Sequence, residues 1–181
     1  MDKRSRILEA FDSLEFRRVQ LEARLDKMEN DLLFIPESEG KWSINQVLAH
    51  LSNSEYGTLK YIRKKMLGID SASKAALGAT LRSKLLKLLL DSGFRFKMPQ
   101  LLSEPSIEID YEELKKQFAK NRIAFKELIE SFPEEALEKL IFRHPFAGRF
   151  SLYQTVRFLE DHYNHHVQQI DRIIKAVENR G

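Results

Sequence analysis

The segment of residues 151–174 constrains the fold most strongly, because its apolar residues recur at the spacing of one long α-helix. One stripe of this predicted helix contains Leu159, His162, Tyr163, His166, Ile170, Ile173 and Val177. In an amphipathic helix, such a stripe faces the core of the protein. At about 100° per residue, His162 and His166 lie about 40° apart around the helix, so both rings can reach the same point. His165 falls outside the stripe, and we expect it at the rim of the core or at the surface.

Two histidines on a buried face need partners, because removing ring nitrogens from water without hydrogen bonds is costly. One interpretation is that both are core histidines bonded to backbone groups or carboxylates. The other is that they bind a metal ion together with a third ligand. His50 is the candidate, because it lies about two turns into an earlier predicted helix, beside Val47 and Leu51 and away from the basic side. A neutral ring on such a face is compatible with metal binding and also with packing alone.

The composition narrows the class of protein. We expect residues 1–181 to form a single domain, since 181 residues with 43% hydrophobic content can bury a core. The 30 basic and 27 acidic residues are interspersed, and the net charge of +3 predicts no nucleic-acid partner. The absence of cysteine excludes disulfides, cysteine-ligated zinc and a thiol nucleophile. With neither a signal-peptide pattern nor an apolar run of membrane-spanning length, we expect a cytoplasmic protein without a membrane partner.

The pattern of apolar residues predicts four long helices in all. Besides the helix at 151–174, they cover residues 3–28, 43–67 and 110–131. Ser43 with Gln46 and Ser151 with Gln154 repeat the same capping-box pattern at two helix starts. Asp110 is the predicted cap of the third helix. Four such helices suit a bundle in which facing helices build a metal site in the core.

The shorter segments are expected to complete the bundle. The pattern of residues 73–90 predicts a basic, leucine-rich helix. This helix binds a membrane or an anionic partner, or else it covers the bundle while its lysines stay in water. We favour the covering role. Residues 93–105 are predicted to form an irregular crossover, and Pro133 with the acids after it opens a short helix. Residues 144–148 are predicted to be a loop, in which His144 has a structural or solvent-exposed role.

Three motifs, read in order along the chain, resemble those of a known family. Residues 42–51 (WSINQVLAHL), 144–148 (HPFAG) and 162–170 (HYNHHVQQI) are similar to the signatures of the DinB-like superfamily. That superfamily includes bacillithiol transferases and proteins classed as metal-dependent hydrolases. The resemblance implies an all-α, DinB-like four-helix bundle of the up-up-down-down type with additional short helices. It also implies a homodimer and a divalent metal held by three ligands: His50, His162 and His166.

The chemistry expected of this site follows from its ligands. Three neutral imidazoles leave zinc one open coordination position, and leave nickel or iron more than one. A metal in such a site can acidify a bound water for hydrolysis. Alternatively it can bind a thiolate, which would come from an exogenous low-molecular-weight thiol because the chain has no cysteine. We therefore predict a metal-dependent enzyme of hydrolase or thiol S-transferase type that acts on a small molecule.

Catalytic groups are less clearly marked than the ligands. Of four possible general bases, Glu55, Glu160, Asp161 and Tyr163, we keep Glu55 and Tyr163 as candidates. Tyr163 lies close to the ligand face, and it either bonds a bound water or packs as a core tyrosine. Glu160 and Asp161 lie off the apolar stripe, and we expect both to be solvated. The alternative hypothesis is a non-catalytic dimerising or binding bundle in which the histidines are vestigial or structural.

Overall fold

Four long helices make up most of the fold. The computed structural model describes residues 2–69, 84–86, 88, 109–144 and 147–179. The long helices are α1 Lys3–Leu25, α2 Ile44–Met66, α3 Tyr111–Ser131 and α4 Leu152–Glu178. The shorter described elements are the 3₁₀ helices Asn30–Phe34 and Glu134–Ala136 and the strands β1 Phe142–His144 and β2 Gly148–Phe150. The predicted all-α bundle with additional short helices is therefore confirmed.

Two of the predicted segments lie wholly or mostly outside the described residues. The crossover predicted at 93–105 lies outside the described residues, and only 84–86 and 88 of the helix predicted at 73–90 are described. None of the helices in the described part of the chain combines the length and the apolarity that a membrane span requires.

The predicted caps fix where α2 and α4 begin. The Ser43 hydroxyl accepts a hydrogen bond from the Gln46 backbone N–H, and the Gln46 side chain accepts one from the Ser43 N–H, at 3.3 and 3.0 Å. Ser151 and Gln154 form the same reciprocal pair at 3.4 and 3.0 Å. Each box satisfies two backbone donors that a helix start leaves unpaired. Both histidine-bearing helices therefore start at a defined residue.

Contacts between α1 and α4 show that these two helices run parallel. Near the start of both, the Arg6 guanidinium lies 4.6 Å from the centroid of the Tyr153 ring. Near the end of both, Arg24 pairs with Asp171 at 2.6 Å. The contacting positions therefore advance together along the two helices.

The contacts of α3 with α1 and α2 give the directions of the other helices. Arg4 donates to the Ile129 carbonyl at 2.6 Å, whereas Lys115 at the other end of α3 pairs with Asp26 at 3.0 Å, so α1 and α3 are antiparallel. Asn121 donates to the Ser52 carbonyl at 3.0 Å, and Arg63 donates to the Ala124 carbonyl at 3.5 Å. These contacts indicate that α2 and α3 are parallel.

The resulting order of directions is up-down-down-up, which corrects the up-up-down-down order implied by the resemblance. In that order α1 and α4 would be antiparallel, but their contacts run in parallel. The physical reason lies in the packing: each of α1 and α2 packs mainly against α3 and α4, so α1 and α2 lie diagonally opposite. Only the connection between the parallel pair α2 and α3 has to join opposite ends of the bundle.

The strands β1 and β2 pair as an antiparallel hairpin, so both end residues of the loop predicted at 144–148 lie in strands. Phe142 pairs with Phe150, Arg143 with Arg149, and His144 with Gly148. Gly148 has a φ of 80°, a left-handed backbone conformation that glycine adopts without a steric penalty. Strands of three residues are too short to show a period of two in the sequence, which is why the strand positions of His144 and Gly148 were not predicted.

The core confirms the predicted inner face of the last helix. Leu159, Tyr163, Ile170, Ile173 and Val177 are all buried. The first helix ends at Leu25, three residues before its predicted end. There the backbone continues with i→i+3 hydrogen bonds, Lys27 N–H to Arg24 and Met28 N–H to Leu25, which are typical of a tightened final turn.

Candidate metal centre

Three histidines from two helices converge between α2 and α4. The Nε2 atom of His162 lies 3.2 Å from Nε2 of His50 and 3.2 Å from Nε2 of His166. One nitrogen from each of the three rings lies within 4.8 Å of the other two. The three predicted ligands are therefore brought together, and they are the group that could hold a metal ion among the described residues.

The spacing of these nitrogens fits a single metal ion. A tetrahedral zinc with Zn–N distances of about 2.0–2.1 Å keeps its ligand nitrogens about 3.3–3.4 Å apart. Two of the three Nε2 pairs, those that include His162, have nearly this separation. The three rings meet edge to face, at interplanar angles of 61–87°. Such an arrangement directs several ring edges at one point.

Hydrogen bonding alone accounts poorly for the same geometry. A neutral imidazole nitrogen carries either one proton or one lone pair, and both lie in the ring plane along the same direction. Nε2 of His162 can therefore make one good hydrogen bond, although two other Nε2 atoms lie 3.2 Å from it. A metal ion at the centre would instead engage all three lone pairs. The geometry thus favours metal binding over the interpretation of ordinary core histidines.

The three histidine rings suit a cation, because all three are uncharged at pH 7. Burial lowers the pKa of His50 to about 4. The pKa of His166 falls to about 3, first through burial and then through the neighbouring His50. The pKa of His162 lies well below its usual value for the same two reasons, with both other histidines contributing. A neutral imidazole is the form that binds metals, so protons do not compete for this site near neutral pH.

Neighbouring side chains hold the ligand rings in place. The Nδ1 atom of His166 lies 2.9 Å from Oε1 of Gln169, one turn further along α4. With Nδ1–H donating to this amide oxygen, Nε2 of the same ring keeps its lone pair for the cluster. Trp42 packs against the His50 ring at 5.3 Å between centroids, and Phe158 stacks on the His162 ring at 5.6 Å.

The two candidate catalytic residues lie together on the side of α3. Both oxygens of Glu55 accept hydrogen bonds from the Arg122 guanidinium, at 2.9 and 2.5 Å. The same guanidinium lies 5.8 Å from the centroid of the Tyr163 ring. Burial raises the pKa of the Tyr163 hydroxyl, so this side chain is a neutral phenol. Glu55 is thus engaged with Arg122, and the catalytic role of either residue stays a prediction.

Glu160 and Asp161 were predicted to be solvated, and this was wrong. Both are buried, with 4% and 7% of their surface exposed. Glu160 accepts hydrogen bonds from Ser13 at 2.9 Å and from Arg157 at 2.5 Å. The reason is that α1 packs beside the apolar stripe of α4, so the buried face is wider than the stripe itself. His165 is partly buried at the edge of the cluster, as predicted, with its ring 5.2 Å from that of His166.

His144 proves to be a buried structural residue of β1. Its Nδ1 accepts a hydrogen bond from the Ala147 backbone N–H at 3.0 Å, which closes the turn of the hairpin. Its ring lies 4.6 Å from that of Phe158, which in turn stacks on His162. Burial lowers the pKa of His144 to about 4. This link to the histidine cluster has no local signal in the sequence, because only the fold brings the hairpin against α4.

Fold and site together define a class: four-helix bundles with a three-histidine site between two of the helices. Within that class, the chain belongs to the DinB superfamily, whose family model matches residues 13–170. The match includes all three clustered histidines and confirms the resemblance found in the motifs. No curated protein and no solved structure matches the chain.

Proposed function

We propose that this protein binds one divalent metal ion through His50, His162 and His166 and uses it in a reaction of the hydrolase or thiol S-transferase type. The observation that carries the proposal is the convergence of the three Nε2 atoms, with two separations of 3.2 Å. Their spacing, their neutral state and their number all fit a nitrogen-ligated site. Imidazole ligands are suited to zinc, nickel or iron.

The roles of the chain's own residues follow from the geometry. The three histidines hold the ion, and Gln169 keeps the His166 ring in the orientation that presents Nε2. When bound, a metal in such a site supplies Lewis-acid activation of a water, a carbonyl or a thiol. Trp42 and Phe158 pack against two of the ligand rings, those of His50 and His162. A transferred sulfur would arrive on a small molecule, since the chain contains no cysteine.

Elemental analysis of untagged protein purified without chelators tests the proposal. We expect about one metal ion per chain in the wild type, and a sharp loss in His50→Ala and in His166→Ala, because two ligands hold an ion far less tightly than three. Helical content measured by circular dichroism should remain in both variants. His165→Ala is the matched control, since it removes a neighbouring histidine whose nitrogens are not in the cluster.

Two results would contradict the proposal. Full occupancy in His166→Ala would remove this residue from the site. Absence of metal from the wild type, with no change in melting temperature on adding zinc, nickel or iron, would reject metal binding, because a ligand of the folded form must stabilise it. The non-catalytic bundle would then be the better hypothesis. A loaded wild type would next be assayed for hydrolysis and for thiol transfer.

A further inference from the structure

Two aromatic rings contact the histidine cluster, one at His50 and one at His162. Trp42 lies 5.3 Å from the His50 ring at an interplanar angle of 54°. Phe158 lies 5.6 Å from the His162 ring and is nearly parallel to it, at 23°. Both side chains are only partly buried, although they pack against the core. Each of the two rings therefore contacts a candidate ligand and keeps part of its surface exposed.

The Phe158 ring contacts further rings besides that of His162. Three rings of the hairpin surround it: His144 at 4.6 Å, Phe142 at 6.2 Å and Phe150 at 6.4 Å. These distances lie within or close to the range of favourable aromatic pairs. A ring that is fixed by its neighbours loses little conformational entropy when a further group packs on it.

The start of α2 positions Trp42. It immediately precedes Ser43, whose capping box fixes the start of α2. The backbone at Trp42 is therefore tied to the same helix that carries His50. The two rings thus contact two different ligands of the cluster, and one is anchored by a helix start and the other by the hairpin.

We propose that this aromatic pair selects small molecules that carry a flat apolar group, such as a phenyl ring, next to their metal-binding atoms. The inference rests on the proposed function, since it concerns what the histidine-bound metal would receive. A molecule held at the three Nε2 atoms lies within reach of Phe158 or Trp42. An aromatic group there gains buried apolar area and ring contacts, whereas a methyl group in its place gains little of either.

Two hydroxamates of different size provide the test. Acetohydroxamate and benzohydroxamate share the metal-binding group and differ in carrying a methyl or a phenyl group. Their dissociation constants are measured by calorimetry on zinc-loaded protein. We expect benzohydroxamate to bind the wild type about three- to tenfold more tightly than acetohydroxamate, beyond any difference measured for the two compounds with free zinc.

The variants assign the effect to the two rings. In Phe158→Leu and Trp42→Leu, which keep an apolar side chain, the phenyl advantage should fall to less than about twofold in at least one of them. The phenyl advantage is the ratio of the two affinities in the same protein, so a general weakening of the metal site lowers both affinities and leaves this ratio unchanged. Phe16→Leu is the matched control, because Phe16 lies on α1 with 63% of its surface exposed.

The outcomes separate this inference from the proposed function. Equal affinities of the wild type for the two hydroxamates, or a phenyl advantage that persists in both leucine variants, would overturn the aromatic selection while the metal site stands. Failure of the wild type to take up zinc would overturn the proposed function itself. Loss of acetohydroxamate binding in a leucine variant would show that the ring supports the ligand histidine and would count against selection at that position.

Discussion

The buried ion pair between Glu55 and Arg122 allows a quantitative prediction. Each side chain is only 4% exposed, and the carboxylate accepts two hydrogen bonds from the guanidinium. Arg122→Met removes the cation while keeping most of the aliphatic volume. The Glu55 carboxylate is then left buried without its counter-charge, because it points into the interface of α2 with α3.

Breaking one side of a buried pair typically costs about 3–5 kcal/mol. Domains of this kind unfold with a free energy of about 5–15 kcal/mol, so the loss is a large fraction of the total. At a urea dependence of about 2–3 kcal/mol/M, the unfolding midpoint should fall by roughly 1–2 M. Far-UV circular dichroism during urea titration measures this shift.

The stability that Arg122→Met loses should also depend on pH. Burial raises the pKa of Glu55 and Arg122 lowers it again, with burial the larger effect. Removing Arg122 therefore raises this pKa further. A carboxyl group whose pKa is raised in the folded state favours folding at low pH and loses that contribution as pH rises through the folded-state pKa. The variant should accordingly lose less stability at pH 5 than at pH 8.

The double variant Glu55→Leu with Arg122→Met tests the reasoning. Replacing both charges by apolar groups removes the desolvation cost of each, so stability should return to within about 1 kcal/mol of the wild type or exceed it. The surroundings of Arg122 also favour this result. Its Nη1 atom is buried without a hydrogen-bond partner, 3.6 Å from Glu15, so its desolvation is not offset by a hydrogen bond. A double variant as unstable as Arg122→Met would refute the argument, since the loss would then come from packing.

Two further predictions concern the orientation of His166 and the hairpin. Gln169→Leu removes the partner of His166 Nδ1, so zinc affinity should fall about 10–100-fold, as measured by competition with a chelator. The control Gln168→Leu, at an exposed position, should bind zinc as the wild type does. Equal affinities of all three proteins would show that Gln169 does not orient the ring. Arg149→Glu converts the like-charged pair with Arg143 into an opposite pair, and should raise stability by about 0.2–1 kcal/mol at low salt relative to Arg149→Gln. A gain that persists in 1 M salt would have another cause.

The sequence predicted the elements whose signals are local. The long helices have many turns of apolar periodicity, and the caps at Ser43, Asp110 and Ser151 are set by residues three positions apart. The histidine cluster could be predicted because two of its members lie one turn apart on one helix face. Its third member needed a second helix, and the choice of His50 depended on its inward face and on the family motif.

The wrong predictions depend on contacts between distant segments. Glu160 is buried because α1 packs beside α4, and its partner Ser13 lies 147 residues away in the chain. Helix directions depend on which helices are diagonal in the bundle, and the periodicity of a single helix carries no information about that. The role of His144 likewise depends on Phe158, which the fold places against the hairpin.

The arrangement of α2 connects the ion pair to the histidine site. His50 and Glu55 are five residues apart, so they point about 140° apart around the helix, one towards α4 and the other towards α3. A slide of α2 by one residue would rotate both side chains by about 100° and separate each from its partners. The Arg122 guanidinium that holds Glu55 also packs on the ring of Tyr163, the neighbour of His162 on α4. The pair thus ties the two ligand-bearing helices to the same side chain of α3. We interpret this as the reason why His50 of α2 and the two histidines of α4 face each other.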